Sequence, residues 1–325
     1  HLDCIFEHYS TDDGLPHNSI ADIHQDRNGY IWLCTWYGLS RFDGNTFVNY
    51  TTLPGDYANL SHNRFLSVRE DVNGYLWLTT YDYKLYRFDK SVERFVAVPD
   101  DLDHSGLSRY KVDKFYCDSR GDTWIALQDY GLCKVTSSLE LEDYSSSYGI
   151  GKDIKAIYGT SDGTVYVDSE AGVAAVSGGE TSLVSRLPGV AAFTEFGGRL
   201  YFGYEDMLRV LDKGSGVQTT IDLSALGAGR LTCMQVAGGA EKSLYIGFSG
   251  GAIGLVDTLS GRVSPVRSDM GRVRYLFPDS GGLLWVATDR TGMGSYSPRT
   301  GRFRHYEHPR NVMSYYTDTL ARVIQ

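Results

Sequence analysis

Residues 26–47 read DRNGYIWLCTWYGLSRFDGNTF, in which a turn at Asn28-Gly29 precedes one apolar run and a turn at Tyr37-Gly38 precedes another. Closely similar text returns at residues 71–95, DVNGYLWLTTYDYKLYRFDKSVERF, and at residues 118–135, DSRGDTWIALQDYGLCKV. Turn residues between short runs rich in aromatic and β-branched residues are typical of antiparallel strands. Three copies of one unit so close together indicate that the fold is built by repetition.

Each copy has a glycine three residues before the aromatic residue of its second strand, and the pattern continues to the end of the chain. Successive aromatic residues are 35 to 47 positions apart, a period typical of four-stranded propeller blades. The sequence therefore predicts an all-β fold, a seven-bladed β-propeller of four-stranded antiparallel blades. The seven positions are Gly29/Trp32, Gly74/Trp77, Gly121/Trp124, Gly163/Tyr166, Gly198/Tyr201, Lys242/Tyr245 and Gly282/Trp285.

Alternation of polar and apolar residues divides each unit into four strands, A to D. Units four and five, within residues 153–222, lack Trp and are rich in Gly, Ala and Ser, so their limits are predicted only to within a few residues. For the first unit we predict strands at residues 20–25, 30–35, 39–42 and 46–50, and for the seventh at residues 273–277, 283–288, 293–296 and 302–306.

The two ends of the chain indicate how the domain is bounded. We assign residues 1–310 to the propeller and residues 311–325 to the start of a following repeat array or second propeller. Residues 5–10 resemble the D strands, so there is one D-type strand more than seven blades need. Either this segment acts as a ring fastener and completes the last blade, or residues 302–306 do.

Composition narrows the class of function. The chain has 325 residues, of which 42% are hydrophobic and 22% charged, which is typical of a globular protein. Its formal net charge of -9 argues against a nucleic-acid surface, and no apolar run approaches the roughly 20 residues that cross a bilayer. The five cysteines form no CxxC motif or Cys/His pair with metal-ligand spacing, so we predict no metal site and no cofactor.

The start GLPHNSI (residues 14–20), the D-x-x-G-x-[IL]-W turn and strand, and the GL and D-F/Y elements that follow resemble the two-component regulator propeller repeat. The first three units match this repeat closely, the seventh matches in part, and the middle three match only in period. The repeat is found in the extracellular sensor region of hybrid two-component systems of gut Bacteroidetes.

This resemblance implies an N-terminal propeller followed by a second propeller, an immunoglobulin-like domain, a membrane helix and a cytoplasmic kinase/regulator. Only the first of these lies in the present sequence, so histidine kinase activity would belong elsewhere in the full-length protein. The resemblance further implies exposure on the periplasmic side of the inner membrane, a homodimer, detection of oligosaccharides and regulation of glycan-utilisation genes. We expect this segment alone to bind oligosaccharide weakly or not at all, because the missing domains would share the site.

Strand direction alternates within a blade, so the A–B and C–D turns share one face and the B–C turns and D–A connections share the other. The D-x-x-G turns lie on the first face and are interpreted as structural, because Gly supplies a positive φ and Asp caps the turn. The tryptophans of the B strands are interpreted as blade-packing residues rather than sugar platforms. They are Trp32, Trp77, Trp124 and Trp285.

On the second face, the B–C turns place aromatic residues beside carboxylates and other polar groups. Aromatic rings pack against the C–H side of sugar rings and planar polar groups orient hydroxyls, so these turns are the candidate ligand- or partner-binding site. The alternative is that the tyrosines only cover the ends of the blades. The candidates are Trp36, Tyr37, Tyr81, Asp82, Tyr83, Asp129, Tyr130 and Arg290.

Four of the seven residues that precede the A strands are basic, in a chain that is acidic overall. This predicts an anion-receptive mouth for an acidic sugar or for a partner domain. The alternative is a set of salt bridges to neighbouring B–C carboxylates such as Asp82 and Asp129. The seven positions are Ser19, Arg64, Lys111, Asp153, Gly189, Arg230 and Arg272.

Two functions compete with a sensor module. A propeller enzyme, lyase or glycosidase-like, is suggested because the repeat resembles streptogramin-lyase-type propellers and the D-x-x-G-x-x-W turn resembles the aspartate box of sialidases. Such chemistry needs an acid and a base that converge at one place. No histidine lies in the B–C turns to serve as that base. His17, His62 and His104 lie in or near the D–A connections. The other alternative is a purely structural propeller that contacts neighbouring sensor domains. We predict no catalytic residue.

Overall fold

The structure is a computed structural model, which describes residues 11–17, 20–43, 45–51, 62–96, 98, 106–238, 242–267, 271–278, 282–288, 293–306, 316–317 and 323–324. Within these ranges the fold is all-β, with seven antiparallel four-stranded sheets and no α-helix. Three short 3-10 helices lie in connections, at Thr11–Asp13, Leu107–Arg109 and Ser224–Leu226. None of the helices in the described part of the chain has the length and apolarity that a membrane crossing requires.

The described residues divide into two compact units, an N-terminal unit from Thr11 to Gly189 and a C-terminal unit from Val190. The N-terminal unit contains four sheets, each made of four consecutive strands paired in chain order. Sheet one is β1 (Ile20–Gln25), β2 (Ile31–Thr35), β3 (Gly38–Phe42) and β4 (Phe47–Tyr50); sheet two is β5 (Phe65–Glu70), β6 (Tyr75–Thr80), β7 (Leu85–Asp89) and β8 (Arg94–Val96); sheet three is β9 (Val112–Cys117), β10 (Thr123–Leu127), β11 (Gly131–Val135) and β12 (Leu141–Asp143); sheet four is β13 (Ile154–Gly159), β14 (Val165–Ser169), β15 (Gly172–Ser177) and β16 (Glu180–Ser185).

The C-terminal unit contains three further sheets of the same kind and one two-stranded pair. Sheet five is β17 (Ala192–Phe196), β18 (Arg199–Gly203), β19 (Met207–Asp212) and β20 (Gln218–Asp222); sheet six is β21 (Leu231–Ala237), β22 (Ser243–Phe248), β23 (Ile253–Val256) and β24 (Val263–Arg267); sheet seven is β25 (Val273–Pro278), β26 (Leu284–Thr288), β27 (Met293–Ser297) and β28 (Arg302–Tyr306); the pair is β29 (Tyr316–Thr317) and β30 (Val323–Ile324).

The predicted fold class and the four-strand division of each unit are confirmed, and the predicted strand limits in sheets one and seven agree with the structure to within one residue. That the seven sheets form one ring stays a prediction. The domain limits of 1–310 and 311–325 also stay predictions. The proposed fastener, residues 5–10, lies outside the described residues.

The hydrophobic core lies between neighbouring sheets of each unit. All five residues of β2 are buried, as expected for a short, nearly continuous apolar run covered on both faces. Trp32 and Leu39 of sheet one pack with Phe65, Leu78 and Phe88 of sheet two. Equivalent clusters join sheets two and three, three and four, five and six, and six and seven, so each blade-like sheet is stabilised by the next.

Among the described residues, the D-x-x-G-x-x-W motif forms the same hydrogen-bond network in sheets one, two and three. In the first copy, Oδ1 of Asp26 accepts the backbone N–H groups of Asn28 and Tyr30 at 2.9 and 3.0 Å. Oδ2 of the same carboxylate accepts the indole N–H of Trp32 at 2.9 Å. Asp71 and Asp118 repeat these contacts with Trp77 and Trp124. The carboxylate therefore ties the A–B turn to the buried indole, and the structural interpretation of these turns is correct.

A basic residue covers each of these tryptophans from the neighbouring C strand. Trp32 pairs across the sheet with Arg41, Trp77 with Arg87 and Trp124 with Lys134. The cationic group lies 5.4 to 5.9 Å from the indole ring centre in all three cases. Such cation–π contacts add about 0.5–1 kcal/mol each at partly exposed sites, so they reinforce the packing of the motif.

A buried ion cluster joins sheets one and two. Nζ of Lys90 lies 2.9 Å from Oδ2 of Asp26 and 2.6 Å from Oε1 of Glu70, and all three side chains are largely buried. Burial alone would raise the pKa of Asp26, but hydrogen bonds from Lys90 and Trp32 outweigh it and hold the pKa below the ordinary value. The cluster therefore stabilises the folded state when Asp26 is ionised.

The indole-to-carboxylate bond can be tested with Trp77→Phe, which keeps an aromatic ring but removes the N–H donor. We expect the free energy of unfolding to fall by about 1–3 kcal/mol, because a buried carboxylate oxygen of Asp71 loses its partner. Chemical denaturation measures the change. Trp36→Phe, at an exposed position, is the matched control, and equal costs for the two substitutions would contradict this role.

The Lys90–Asp26 contact can be tested by a double-mutant cycle of Asp26→Asn and Lys90→Gln. The lowered pKa of Asp26 means that its contribution is present above the unfolded-state pKa and is lost as the pH falls through the folded-state pKa. We therefore expect a favourable coupling energy at pH 6 that shrinks toward pH 3. A coupling energy that is the same at both pH values would show that the ion pair does not stabilise the fold.

Candidate ligand-binding face

Backbone hydrogen bonds tie the B–C turns to the start of the following blade within each unit. The N–H of Gly38 donates to the carbonyl of Asn63 at 2.8 Å, and the N–H of Val112 donates to the carbonyl of Tyr83 at 2.8 Å. In the C-terminal unit the N–H of Leu231 donates to the carbonyl of Glu205 at 2.9 Å. The residues that precede the A strands therefore lie beside the B–C turns.

Three of the predicted residues come together as an aromatic ledge, defined here as Trp36, Arg64 and Tyr81. The guanidinium carbon of Arg64 lies 3.9 Å from the ring centre of Trp36 and 4.2 Å from that of Tyr81. Both rings remain about half exposed, at 47% and 50%. Nε of Arg64 is buried and makes no hydrogen bond, so its position depends on the two rings.

Two histidines extend the ledge at its edges. The ring of His17 stacks on Trp36 with centres 5.5 Å apart and an interplanar angle of 18°. His62 lies 5.9 Å from Tyr81, and its Nδ1 accepts the backbone N–H of Arg64 at 2.9 Å. The sequence placed both histidines in or near the D–A connections, but it carried no signal that they would contact the turns of two blades.

The remaining aromatic candidates form separate contacts at the next blade. Nζ of Lys111 lies 5.0 Å from the ring centre of Tyr83. Tyr130 packs against Tyr110 with ring centres 4.8 Å apart, and its hydroxyl donates to Asp143, which raises the pKa of Tyr130. Tyr37 lies next to the ledge and is 59% exposed.

The two turn carboxylates have local roles. The hydroxyl of Thr80 donates to Oδ1 of Asp82 at 2.6 Å, so this carboxylate helps to close its own turn. Asp129 is exposed and has a φ of 61°, the same value as Tyr83 at the equivalent turn. Positive φ at non-glycine residues is uncommon, and here it directs the chain through both turns. Arg64 and Lys111 both lie over aromatic rings.

In the C-terminal unit, the predicted residues Arg230 and Arg272 line a cavity, whereas Arg64 contacts aromatic rings. Arg230 pairs with the turn carboxylate of Glu205 at 2.5 Å, as the salt-bridge alternative predicted. Arg230 and Arg272 also line one cavity of about 620 Å³, together with Arg274, which sequence analysis missed. The only sequence signal was a second arginine two positions after Arg272. Arg290 lies outside the described residues, so its placement stays a prediction.

Residues 14–37 match the protein-family model described as the two component regulator propeller. This confirms the family resemblance for the first blade. The matched stretch begins in the connection that carries His17 and ends in the turn that carries Trp36 and Tyr37. The matched stretch therefore includes Trp36, one of the three residues of the aromatic ledge.

A curated protein and two solved structures are also similar to this chain. A stretch of 57 residues is 40% identical to histidine kinase P4 of Formosa agariphila, over 18% of this chain and 4% of that protein. The extracellular domain of a putative hybrid two component system from B. thetaiotaomicron superposes with a TM-score of 0.61 at 16% identity, over 95% of this chain and 44% of that one. The chain thus spans less than half the length of either relative.

A streptogramin B lyase superposes with a TM-score of 0.52 at 13% identity, over 84% of this chain and 92% of that one. At identities this low, the likeness to both solved structures shows the fold alone. A propeller fold hosts both sensors and enzymes, so function has to be argued from the site.

The ledge geometry can be tested with Arg64→Ala. Removing the guanidinium uncovers the faces of Trp36 and Tyr81, so we expect more efficient quenching of tryptophan fluorescence by acrylamide and a stability loss of about 1–2 kcal/mol. Arg94→Ala, at an exposed position on β8 of the same sheet, removes the same charge away from the rings. If both variants quench alike, Arg64 does not cover the ledge.

Proposed function

We propose that this chain is a sensor propeller of a hybrid two-component system and that it detects oligosaccharides at the aromatic ledge. The observation that carries the proposal is the pair of half-exposed rings, Trp36 and Tyr81, held beside the guanidinium of Arg64. The match of residues 14–37 to the regulator-propeller family supports the sensor role.

The ledge has the chemistry that sugar recognition requires. Flat aromatic faces bury the C–H side of a pyranose ring, while a few fixed polar groups select the hydroxyl pattern. Arg64 supplies donors between the two rings, and His17 and His62 supply further nitrogens at the edges. Because the rings belong to turns of adjacent blades, a bound sugar would contact both blades at once.

In this proposal the chain works outside the cytoplasm, on the periplasmic side of the inner membrane, as part of a longer homodimeric receptor. A second propeller and an immunoglobulin-like domain of the same protein would follow it and share the ligand. Occupancy would alter a histidine kinase elsewhere in the protein and thereby the expression of glycan-utilisation genes. The partial similarity to histidine kinase P4 supports this connection.

Isothermal titration calorimetry tests the proposal with this chain and with the longer extracellular region, against a panel of plant and host oligosaccharides. We expect the longer region to bind one class of oligosaccharide more tightly than this chain does. The double variant Trp36→Ala/Tyr81→Ala should weaken that binding at least tenfold, because both rings would lose their contact with the sugar.

Tyr30→Ala is the matched control, since Tyr30 is also exposed but lies at the opposite end of β2. It should leave the affinity unchanged. Unchanged binding by the double variant would remove the ledge from the site and favour a scaffold role for this propeller. Chemical conversion of a bound oligosaccharide by the purified chain would instead favour the enzyme alternative.

A further inference from the structure

The C-terminal unit contains an arginine pocket, defined here by Arg230, Arg272 and Arg274, that the aromatic ledge does not explain. It is a cavity of about 620 Å³ at the starts of β17, β21 and β25. A space of this size is within the range that holds a small ligand. Ser249 and Thr232 also contribute to its wall, and among the described residues that line it none carries a carboxylate.

Two of these arginines lie just before a strand, and the third lies at a β-bulge. Arg230 and Arg272 are the residues immediately before β21 and β25. Arg274 is the second residue of β25 and lies at a β-bulge, where the register with β26 shifts between Val273 and Tyr275. Bulges re-aim side chains next to functional sites. In β21 the same bulge position is occupied by Thr232, which also lines the pocket.

Hydrogen bonds from the wall hold the frame of the pocket. Oγ of Ser249 accepts the backbone N–H of Arg230 at 2.9 Å, which leaves the hydroxyl hydrogen as a donor. The hydroxyl of Thr232 donates to the carbonyl of Val273 at 2.6 Å, so it fixes β21 against β25. The starts of the two strands, and with them the arginines, are therefore held at a set spacing.

The charge of the pocket opposes that of the chain, which has a formal net charge of -9. The ion pair of Arg230 with Glu205 involves side chains that are 74% and 58% exposed, and exposed pairs contribute little stability. A bound anion could therefore replace Glu205 as the partner of Arg230 at low cost. Arginine also binds carboxylate and sulfate oxygens in a bidentate manner that lysine cannot reproduce.

We propose that the arginine pocket binds an oxyanion, the carboxylate or sulfate ester of an acidic oligosaccharide. The oligosaccharide part of this inference rests on the proposed function, whereas the oxyanion part rests on the pocket alone. The pocket thus selects charged ligands over neutral ones, and Arg274 is a determinant of that selection.

The oxyanion part is tested first with inorganic sulfate. The melting temperature of the chain is compared in sodium sulfate and in sodium chloride of equal ionic strength, for the wild type and for Arg272→Ala/Arg274→Ala. A bound ion stabilises only the form that has its site, so sulfate should raise the melting temperature of the wild type several degrees more than that of the variant. Equal shifts would reflect only general salt stabilisation and would overturn the pocket.

The oligosaccharide part is tested by calorimetry with the longer extracellular region. The probes are a galacturonic acid oligomer with its neutral methyl ester, and a sulfated galactose oligomer with its desulfated form. We expect one charged probe to bind at least tenfold more tightly than its neutral counterpart, and Arg274→Ala to abolish that difference. The preferred pair distinguishes carboxylate from sulfate ester. Arg262→Ala, an exposed arginine of the same unit that does not line the pocket, should retain the difference.

The outcomes separate this inference from the proposed function. If neutral probes bind through the ledge and charge adds nothing, the acidic-ligand inference is wrong and the sensor proposal survives. If sulfate stabilises the wild type selectively but no oligosaccharide binds, the pocket survives and the oligosaccharide proposal fails. Equal affinity of Arg274→Ala and Arg262→Ala for the charged probe would remove Arg274 from the site.

Discussion

The hydrogen bond from the indole N–H of a B-strand tryptophan to the aspartate six residues earlier is the contact on which the N-terminal unit depends. The aspartate is buried, so its charge has to be compensated by hydrogen bonds, and the turn amides and the indole supply them. One side chain thereby closes the A–B turn and fixes the largest core residue of the blade. Among the described residues this bond is present in sheets one to three. Asp279 and Trp285 have the same spacing in the seventh unit, but Asp279 lies outside the described residues.

The same motif also carries contacts between blades. Trp32 packs into the core of sheet two through Phe88, and Asp26 reaches sheet two through Lys90. Asp26, which also bonds to residues of its own turn, is thus held by Lys90, a residue 64 positions away in the sequence. In sheet four, Thr160 stands at the aspartate position and bonds instead to Asp162 and to the carbonyl of Thr164. The Thr160 hydroxyl therefore closes this turn with bonds inside the turn itself.

Sequence periodicity was sufficient to predict the strands because each strand is specified by its own alternation and turn residues. The site was less predictable, because its contacts join residues of different blades. That Arg64 precedes an A strand could be read directly, but its position between Trp36 and Tyr81 depends on how two blades pack. The bulge that presents Arg274 depends on strand register, which no local pattern specifies. That the B–C turns lie beside the residues preceding the A strands could therefore be predicted, whereas the individual pairings could not, and the role of this face in binding stays a prediction.

The size of the turn residues explains why arginines at equivalent positions have different surroundings in the two units. Arg64 is covered because Trp36 and Tyr81 fill the space beside it. At Arg230 the equivalent turn positions hold Glu205, which pairs with the arginine, and Ser249, which lines a cavity beside it. Gly250 approaches the carbonyl of Ala228 so closely that an added Cβ would lie 2.4 Å from its oxygen. Backbone packing thus keeps this turn small, and the Arg230 side chain, with 74% of its surface exposed, lies beside the cavity instead of under an aromatic ring.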